Sequence, residues 1–332
     1  MGRAFSLCTT TTRTGYQKHI QKYAEPVQAA ANIRVGAEGA DGVDLSNKVI
    51  AVTGANSGLG KMVATYAAAK GAKLFMLCRS MDRATKAREE IVEQTGNESV
   101  EIIQVDVAEL ASVRQAVKDL QSKTDRLDAL VCNAGGLFNE RKVSSEGNEI
   151  TFASHLLGGS YLLPSLLMNQ LKASGDQARV IFVTSGGMYN FKMPKWDVLT
   201  STKEGMKFDG VSAYAYAKRG QVLLAERWTQ EYPEITVVST HPGWTDTPGV
   251  DEAFGDQKKY LEPMRTPWHG AEGMAWLLGT DRKNLEGGAL YLDRLPQRKH
   301  LAGPFFTEGR ATKNTPEEVD ELMENLKKAA GL

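Results

Sequence analysis

The chain has 332 residues, with 40 acidic and 40 basic side chains. That length allows one large α/β domain or two small ones, and the balanced charge leaves no net field to attract nucleic acid. Three widely spaced cysteines, Cys8, Cys78 and Cys132, and five histidines without ligand spacing argue against a disulfide framework and against a bound metal.

These features suit an intracellular, reducing compartment, with the cytoplasm as the first expectation. No apolar run reaches membrane-spanning length. Residues 1 to 47 show no alternation of strands and helices. The first acid is Glu25, and Arg3, Arg13, Lys18, Lys22 and a Thr9 to Thr12 run precede it. Such a composition suits an organelle leader or, more simply, a disordered or surface-packed extension. Met1-Gly2-Arg3-Ala4-Phe5-Ser6 also fits the minimal myristoylation pattern, with Cys8 placed for a second acyl chain, which would give peripheral membrane contact.

From Lys48 onward strand and helix patterns alternate, with strands expected to begin near residues 48, 73, 100, 128, 179, 235 and 288. The expected fold is a Rossmann-type, doubly wound, seven-stranded parallel sheet in a single domain over 48–293. Residues 1–47 and 294–332 flank it as extensions. Right-handed crossovers place all the strand C-termini along one rim, where a site belongs.

The first strand runs into Thr53-Gly54-Ala55-Asn56-Ser57-Gly58-Leu59-Gly60 and then a helix. A helix start offers unpaired N–H groups and a partial positive charge, and a pyrophosphate can approach them only where no Cβ intervenes. Gly54, Gly58 and Gly60 supply that clearance, with Asn56, Ser57 and Leu59 between them. The spacing Thr-Gly-x-x-x-Gly-x-Gly resembles the short-chain dehydrogenase/reductases, a family of nicotinamide-dependent oxidoreductases. The resemblance covers roughly residues 48 to 293.

After the second strand stand Arg79 and Ser80, with no acid where one would hold a ribose 2′-hydroxyl. Arg79 can pair with a 2′-phosphate and Ser80 can donate to it, so NADP(H) is expected over NAD(H). The resemblance implies an adenine contact at Asp106-Val107 and a cofactor-side turn at Asn133-Ala134-Gly135. It also implies a nicotinamide-side turn at Pro242-Gly243, with Thr245 and Thr247 both candidates for the carboxamide hydroxyl. Where the family has Asn, whose backbone carbonyl holds a water leading to the catalytic lysine, this chain has His155. A lone histidine on such a helix suits a packed, hydrogen-bonded role better than acid–base work, and the substitution puts the relay in question.

The fifth strand ends at Ser185, and Tyr214 and Lys218 follow at a spacing that puts both on one helix face. Reducing a carbonyl leaves an alkoxide that needs a proton. A tyrosine of ordinary pKa near 10 is a poor donor at neutrality, so a nearby cation is needed to lower it. Ser185 is expected to hold the substrate oxygen, and Tyr214 to exchange its proton. Lys218 is expected to stabilise the phenolate and, by the resemblance, to hold the ribose. Tyr66 and Lys70 share the spacing without a strand-end serine and are read as structural. Two long connections, 186–211 and 244–267, carry Met188, Tyr189, Phe191, Met193, Trp196, Phe208, Phe254, Tyr260 and Met264. They suggest an apolar carbonyl or alcohol substrate under a lid, or else side chains that pack the lid or a partner subunit of a homo-oligomer. The rival to the enzyme is a non-catalytic NADP(H)-binding sensor or scaffold. Near the end, Thr315-Pro316-Glu317-Glu318 forms a capping box ahead of an apolar stripe at Val319, Leu322, Met323 and Leu326, a helix that should dock on the core or on a neighbour.

Overall fold

A computed structural model describes residues 11–22, 42–301 and 307–332. Its centre is one sheet of eight strands in the order β3-β2-β1-β4-β5-β6-β7-β8. The strands are β1 (Val49–Thr53), β2 (Lys73–Cys78), β3 (Val100–Gln104), β4 (Ala129–Cys132), β5 (Arg179–Val183), β6 (Thr236–His241), β7 (Leu290–Leu292) and β8 (Leu295–Gln297). The first seven run parallel, as expected. The eighth corrects the expected count: it returns antiparallel to β7 after the turn at Asp293 and Arg294. Three residues are too few to carry a period-two signal, and Pro296 suits only an edge position.

The labelled helices are α1 (Arg13–Ile20), α2 (Gly58–Ala69), α3 (Met81–Thr95), α4 (Leu110–Gln121), α5 (Gly210–Glu231), α6 (Pro267–Gly279) and α7 (Pro316–Ala330). Because β1, β4 and β5 are buried along their whole length, their sequences are near-continuous apolar runs; β6 is equally buried but carries Thr236, Ser239, Thr240 and His241. One core packs α2, α3 and α6 on one face of the sheet. A second core holds α4, a π-helix at Ala153–Leu162, α5 and α7 on the other.

The π-helix has a local cause. Gly158 and Gly159 let its backbone approach closely, and a Cβ on Gly158 would stand 2.0 Å from the Val107 carbonyl oxygen. Its widened turn is closed by Ser160, whose hydroxyl donates to the His155 carbonyl at 2.6 Å. Such helices are frequent near functional sites.

The capping box at Thr315 and Glu318 is present. The choice left open for this helix is resolved: it docks on its own core, with Leu322, Leu326 and Ala330 buried alongside Leu156, Leu157 and Tyr161. The Tyr66–Lys70 pair is buried, and Tyr66 packs against Trp268 at 6.0 Å between ring centroids. Among the described residues no helix is long and apolar enough to cross a membrane, and no acid, His or Cys cluster could hold a metal. The myristoylation pattern and Cys8 lie outside the described residues.

Leu326 is fully buried, so Leu326→Ala is expected to lower the unfolding free energy by about 2–4 kcal/mol. Urea denaturation checks this, and cofactor affinity should be unchanged because α7 lies on the face away from the glycine turn.

Candidate active site

The strand order reverses between β1 and β4, which opens a crevice at their C-terminal ends. The glycine turn occupies that crevice. Gly54 and Gly58 take φ of +67° and +52°, values that L side chains rarely adopt. At Gly60 a Cβ would stand 2.4 Å from the Gly54 carbonyl oxygen and 2.5 Å from Asn133 Nδ2, so only glycine lets α2 start this close to the turn. Ser57 occupies the N-cap without capping through its side chain, which leaves the first N–H groups of α2 to face the crevice.

Thr53 locks the two strands together. Its hydroxyl accepts from the backbone N–H of Asn133 and of Ala134, each at 2.9 Å, and Asn133 Nδ2 donates back to the Thr53 carbonyl at 3.0 Å. The sequence reading did not single Thr53 out as a site residue. Its signal was available as the first residue of the glycine motif.

Arg79 lies on the rim beyond β2 with its side chain 67% exposed, and among the described residues its ion-pair partner is Asp106, at 3.5 Å. Ser80 caps α3 weakly, accepting from the Arg83 N–H at 3.5 Å. Asp106 turns the chain after β3: its carboxylate accepts from the Ala108 N–H at 3.0 Å. Val107 is buried against the π-helix.

His155 lies beneath the cofactor-side turn. A Cβ on Gly135, whose φ is +149°, would stand 1.9 Å from the imidazole Cε1. Nε2 contacts the Gly136 carbonyl at 2.9 Å, and that acceptor requires the proton on Nε2. Nδ1 has no partner among the described residues. Burial, helped by nearby Lys218, pushes the imidazole pKa well below its ordinary value, so the ring is neutral. It packs edge-on to Tyr214 at 5.1 Å between centroids. The His155 carbonyl accepts from Ser160 Oγ at 2.6 Å and Gln221 Nε2 at 3.0 Å, which engages both of its lone pairs.

Ser185, Tyr214 and Lys218 converge on the rim. Ser185 follows β5, its hydroxyl accepts from the Gly187 N–H at 3.3 Å, and it lies near enough to Tyr214 to favour the phenolate. Lys218 is buried, donates from Nζ to the Val183 carbonyl at 2.6 Å, and lies 5.4 Å from the centre of the Tyr214 ring. Thr184 returns the tie, donating its hydroxyl to the Lys218 carbonyl at 2.7 Å. The expectation that Lys218 lowers the Tyr214 pKa needs correcting for the chain's own groups. Burial raises it, and the nearby Ser185 hydroxyl opposes that rise. Burial also pushes the Lys218 ammonium down to about 7, which weakens the cation that was to do the lowering.

The turn after β6 separates the two threonines. Thr245 is buried, donates to the Pro242 carbonyl at 3.1 Å and lies so close to α6 that a Cβ on Gly270 would stand 2.2 Å from its hydroxyl. Thr247 is half-buried and faces Gly58 across the crevice. Gly243 takes φ of +74°. In the two long connections, Met188, Tyr189, Met193 and Met264 are buried; Met188 and Tyr189 pack with Val222 and Leu290, and Met193 joins the main core. Phe191 packs edge-on to Tyr216, Trp196 to Phe152 and Trp244 to Phe254. Tyr260 is exposed. Much of the apolar surface therefore ties the connections to the core, while Phe138, Phe191, Phe208, Trp244 and Phe254 remain partly accessible.

The geometry agrees with known proteins. A family model described as short chain dehydrogenase matches residues 48–208. Dehydrogenase/reductase SDR family member 12 of Homo sapiens is 36% identical over 290 residues, covering 87% of this chain and 88% of that protein. The chain belongs to the short-chain dehydrogenase/reductase family. It is thus an oxidoreductase acting on a CH–OH/C=O pair with a nicotinamide dinucleotide, and it takes a small-molecule substrate. Retinol dehydrogenase 13 of Mus musculus is 27% identical over 283 residues, covering 83% of this chain and 80% of that one. A Shigella flexneri short chain dehydrogenase solved as a complex with NADP shares the fold, with a TM-score of 0.58, 21% identity, and coverage of 80% of this chain and 99% of that one. The donors described here suit such a dinucleotide: an uncapped helix start for the pyrophosphate, and the Thr53–Asn133 lock beneath it.

The buried lysine gives a pH test. Its folded pKa, about 7, lies below the ordinary 10.5. Between those values the unfolded chain binds more protons, so stability rises with pH and the full penalty persists below 7. From pH 7 to pH 9 the wild type should gain about 2 kcal/mol over Lys218→Met. Denaturation of both proteins at the two pH values measures the difference.

Proposed function

We propose that this chain is an NADP(H)-dependent reductase or dehydrogenase of an apolar, lipid-like carbonyl/alcohol pair, with residues 48–293 as its catalytic domain. The observation that carries the reading is the convergence of Ser185 and Tyr214 beside Lys218, which is buried 5.4 Å from the centre of the Tyr214 ring. When bound, the nicotinamide dinucleotide supplies or accepts the hydride, and its oxidised ring adds a positive charge to the site. Ser185 donates to the substrate oxygen and sets it beside the Tyr214 hydroxyl. In reduction Tyr214 gives its phenolic proton to that oxygen; in oxidation the phenolate takes it back. Lys218 favours the phenolate and, as the family resemblance suggests, holds the ribose. His155 is assigned a positioning role: a neutral ring under Gly135 and against Tyr214. Its engaged carbonyl does not serve as the water-holding acceptor of a relay.

For the cofactor, Gly54, Asn56, Ser57, Gly58, Leu59 and Gly60 would cradle the pyrophosphate. Asp106 and Val107 would meet the adenine, and Asn133, Ala134 and Gly135 would line the crevice. Pro242, Gly243 and Thr247 would meet the nicotinamide side, while Thr245 braces their turn. Preference for NADP(H) rests on Arg79, which is exposed, loosely paired and followed by Ser80. The NADP complex of the Shigella neighbour agrees with it. The apolar substrate rests on the accessible aromatic side chains of the rim, and a retinol dehydrogenase among the relatives supports it.

Tyr214→Phe is expected to lower turnover of an apolar aldehyde or ketone about 10²–10⁴-fold while leaving NADPH affinity within about twofold. Stopped absorbance assays and fluorescence titration measure the two quantities, and unchanged turnover would sink the mechanism. Arg79→Ala should weaken NADPH binding about tenfold or more and leave NADH binding alone. A wild-type preference for NADH would overturn the 2′-phosphate reading.

A further inference from the structure

The segment at residues 11–22 lies far ahead of the family match at 48–208, yet it is packed against the turn after β6. We propose that this segment is a wall of the active site, with Arg265 as the positioning residue that transmits its contact to the Pro242–Thr247 turn. The proposal rests on reading that turn as the nicotinamide side.

Gly243 touches both partners: a Cβ there would stand 2.3 Å from Arg265 Nε and 2.5 Å from the Thr11 carbonyl oxygen. The Thr11 carbonyl accepts from the Trp244 N–H at 2.8 Å and from Arg265 Nε at 2.9 Å. Arg265 then holds the turn's other edge, its N–H donating to the Trp244 carbonyl at 2.7 Å and its carbonyl accepting from the Asp246 N–H at 2.9 Å. Trp244 is therefore clamped at both backbone groups, once by the N-terminal segment and once by Arg265.

The clamp is anchored by buried charge. Arg265 is fully buried and pairs through both terminal nitrogens with Asp293. Asp293 sits at the end of β7 with φ of +60°. His19 reaches the same carboxylate from α1, Nδ1 to Oδ2 at 2.6 Å. Tyr16 is buried, stacks on His269 at 4.4 Å and lies 5.3 Å from the Arg265 guanidinium. Arg13 fixes the returning strand of chain, donating from its N–H to the Pro263 carbonyl at 3.0 Å and from Nε to the Met264 carbonyl at 2.9 Å. A buried guanidinium must keep its partners, so Arg265 cannot move without breaking this network. The turn is held wherever Arg265 is held. Of the readings open for the N-terminal stretch, these residues match a packed extension that belongs to the working enzyme.

The test is a chain lacking residues 1–22, with full-length Tyr16→Ala as a second variant should the deletion fail to fold. Titrations use the reduced cofactor that the wild type prefers and its adenosine half, 2′,5′-ADP for NADPH or ADP for NADH. The deletion should weaken the whole cofactor tenfold or more and Tyr16→Ala severalfold, while the adenosine half binds within twofold of wild type. Unchanged binding of the whole cofactor in a folded variant would overturn the proposal. Equal weakening of both ligands would also overturn it, since that marks general destabilisation. A wild type that binds the whole cofactor no more tightly than its adenosine half would sink the nicotinamide-side reading itself.

Discussion

The site depends on burying the charge of one lysine against a carbonyl instead of a carboxylate. Lys218 donates to Val183, and Thr184 donates to the Lys218 carbonyl, so side chain and backbone of one residue are both tied to the end of β5. The next residue on that strand is Ser185. The tie fixes the rotation of α5 about its axis and hence the height at which Tyr214 meets Ser185. Desolvation makes the ammonium easy to discharge, and the same desolvation holds Tyr214 in its protonated form until further positive charge arrives.

A second constraint lies across the crevice. Thr53 and Asn133 bind β1 to β4 where the strand order reverses, and Gly60 packs against Gly54 and Asn133. The end of the crevice proposed for the phosphates is thus held by backbone geometry, and the end proposed for the chemistry by one buried cation. The wall between them comes from segments distant in sequence, α1 and the chain around Arg265, held by Asp293.

What could be read in advance was whatever a residue type forces locally. The glycine turn was legible because Gly54 and Gly58 take conformations few other residues tolerate, and central strands such as β1 and β5 because burial on both faces makes them mostly apolar. The capping box at Thr315 was legible for the same local reason. β8 was too short to show a period, and the π-helix lies in a run so uniformly buried that no face stands out. Thr245 and Thr247 could not be told apart because their difference is made by Gly270 and Gly58, which only the fold brings near. The role of Arg265 left no trace in the sequence, since its partners Thr11 and Asp293 stand on opposite sides of it in the chain and far away.

The Val183–Lys218–Thr184 tie separates two properties that evolution can then adjust independently. Ser185 and Tyr214 are held by the sheet and α5, while the connections at 186–211 and 244–267 are anchored through other residues, Met188 and Tyr189 on Val222 and Leu290, Trp196 on Phe152 and Trp244 on Phe254. Descendants of this chain can remodel those connections, and so drift from one substrate to another, without re-inventing the proton chemistry underneath.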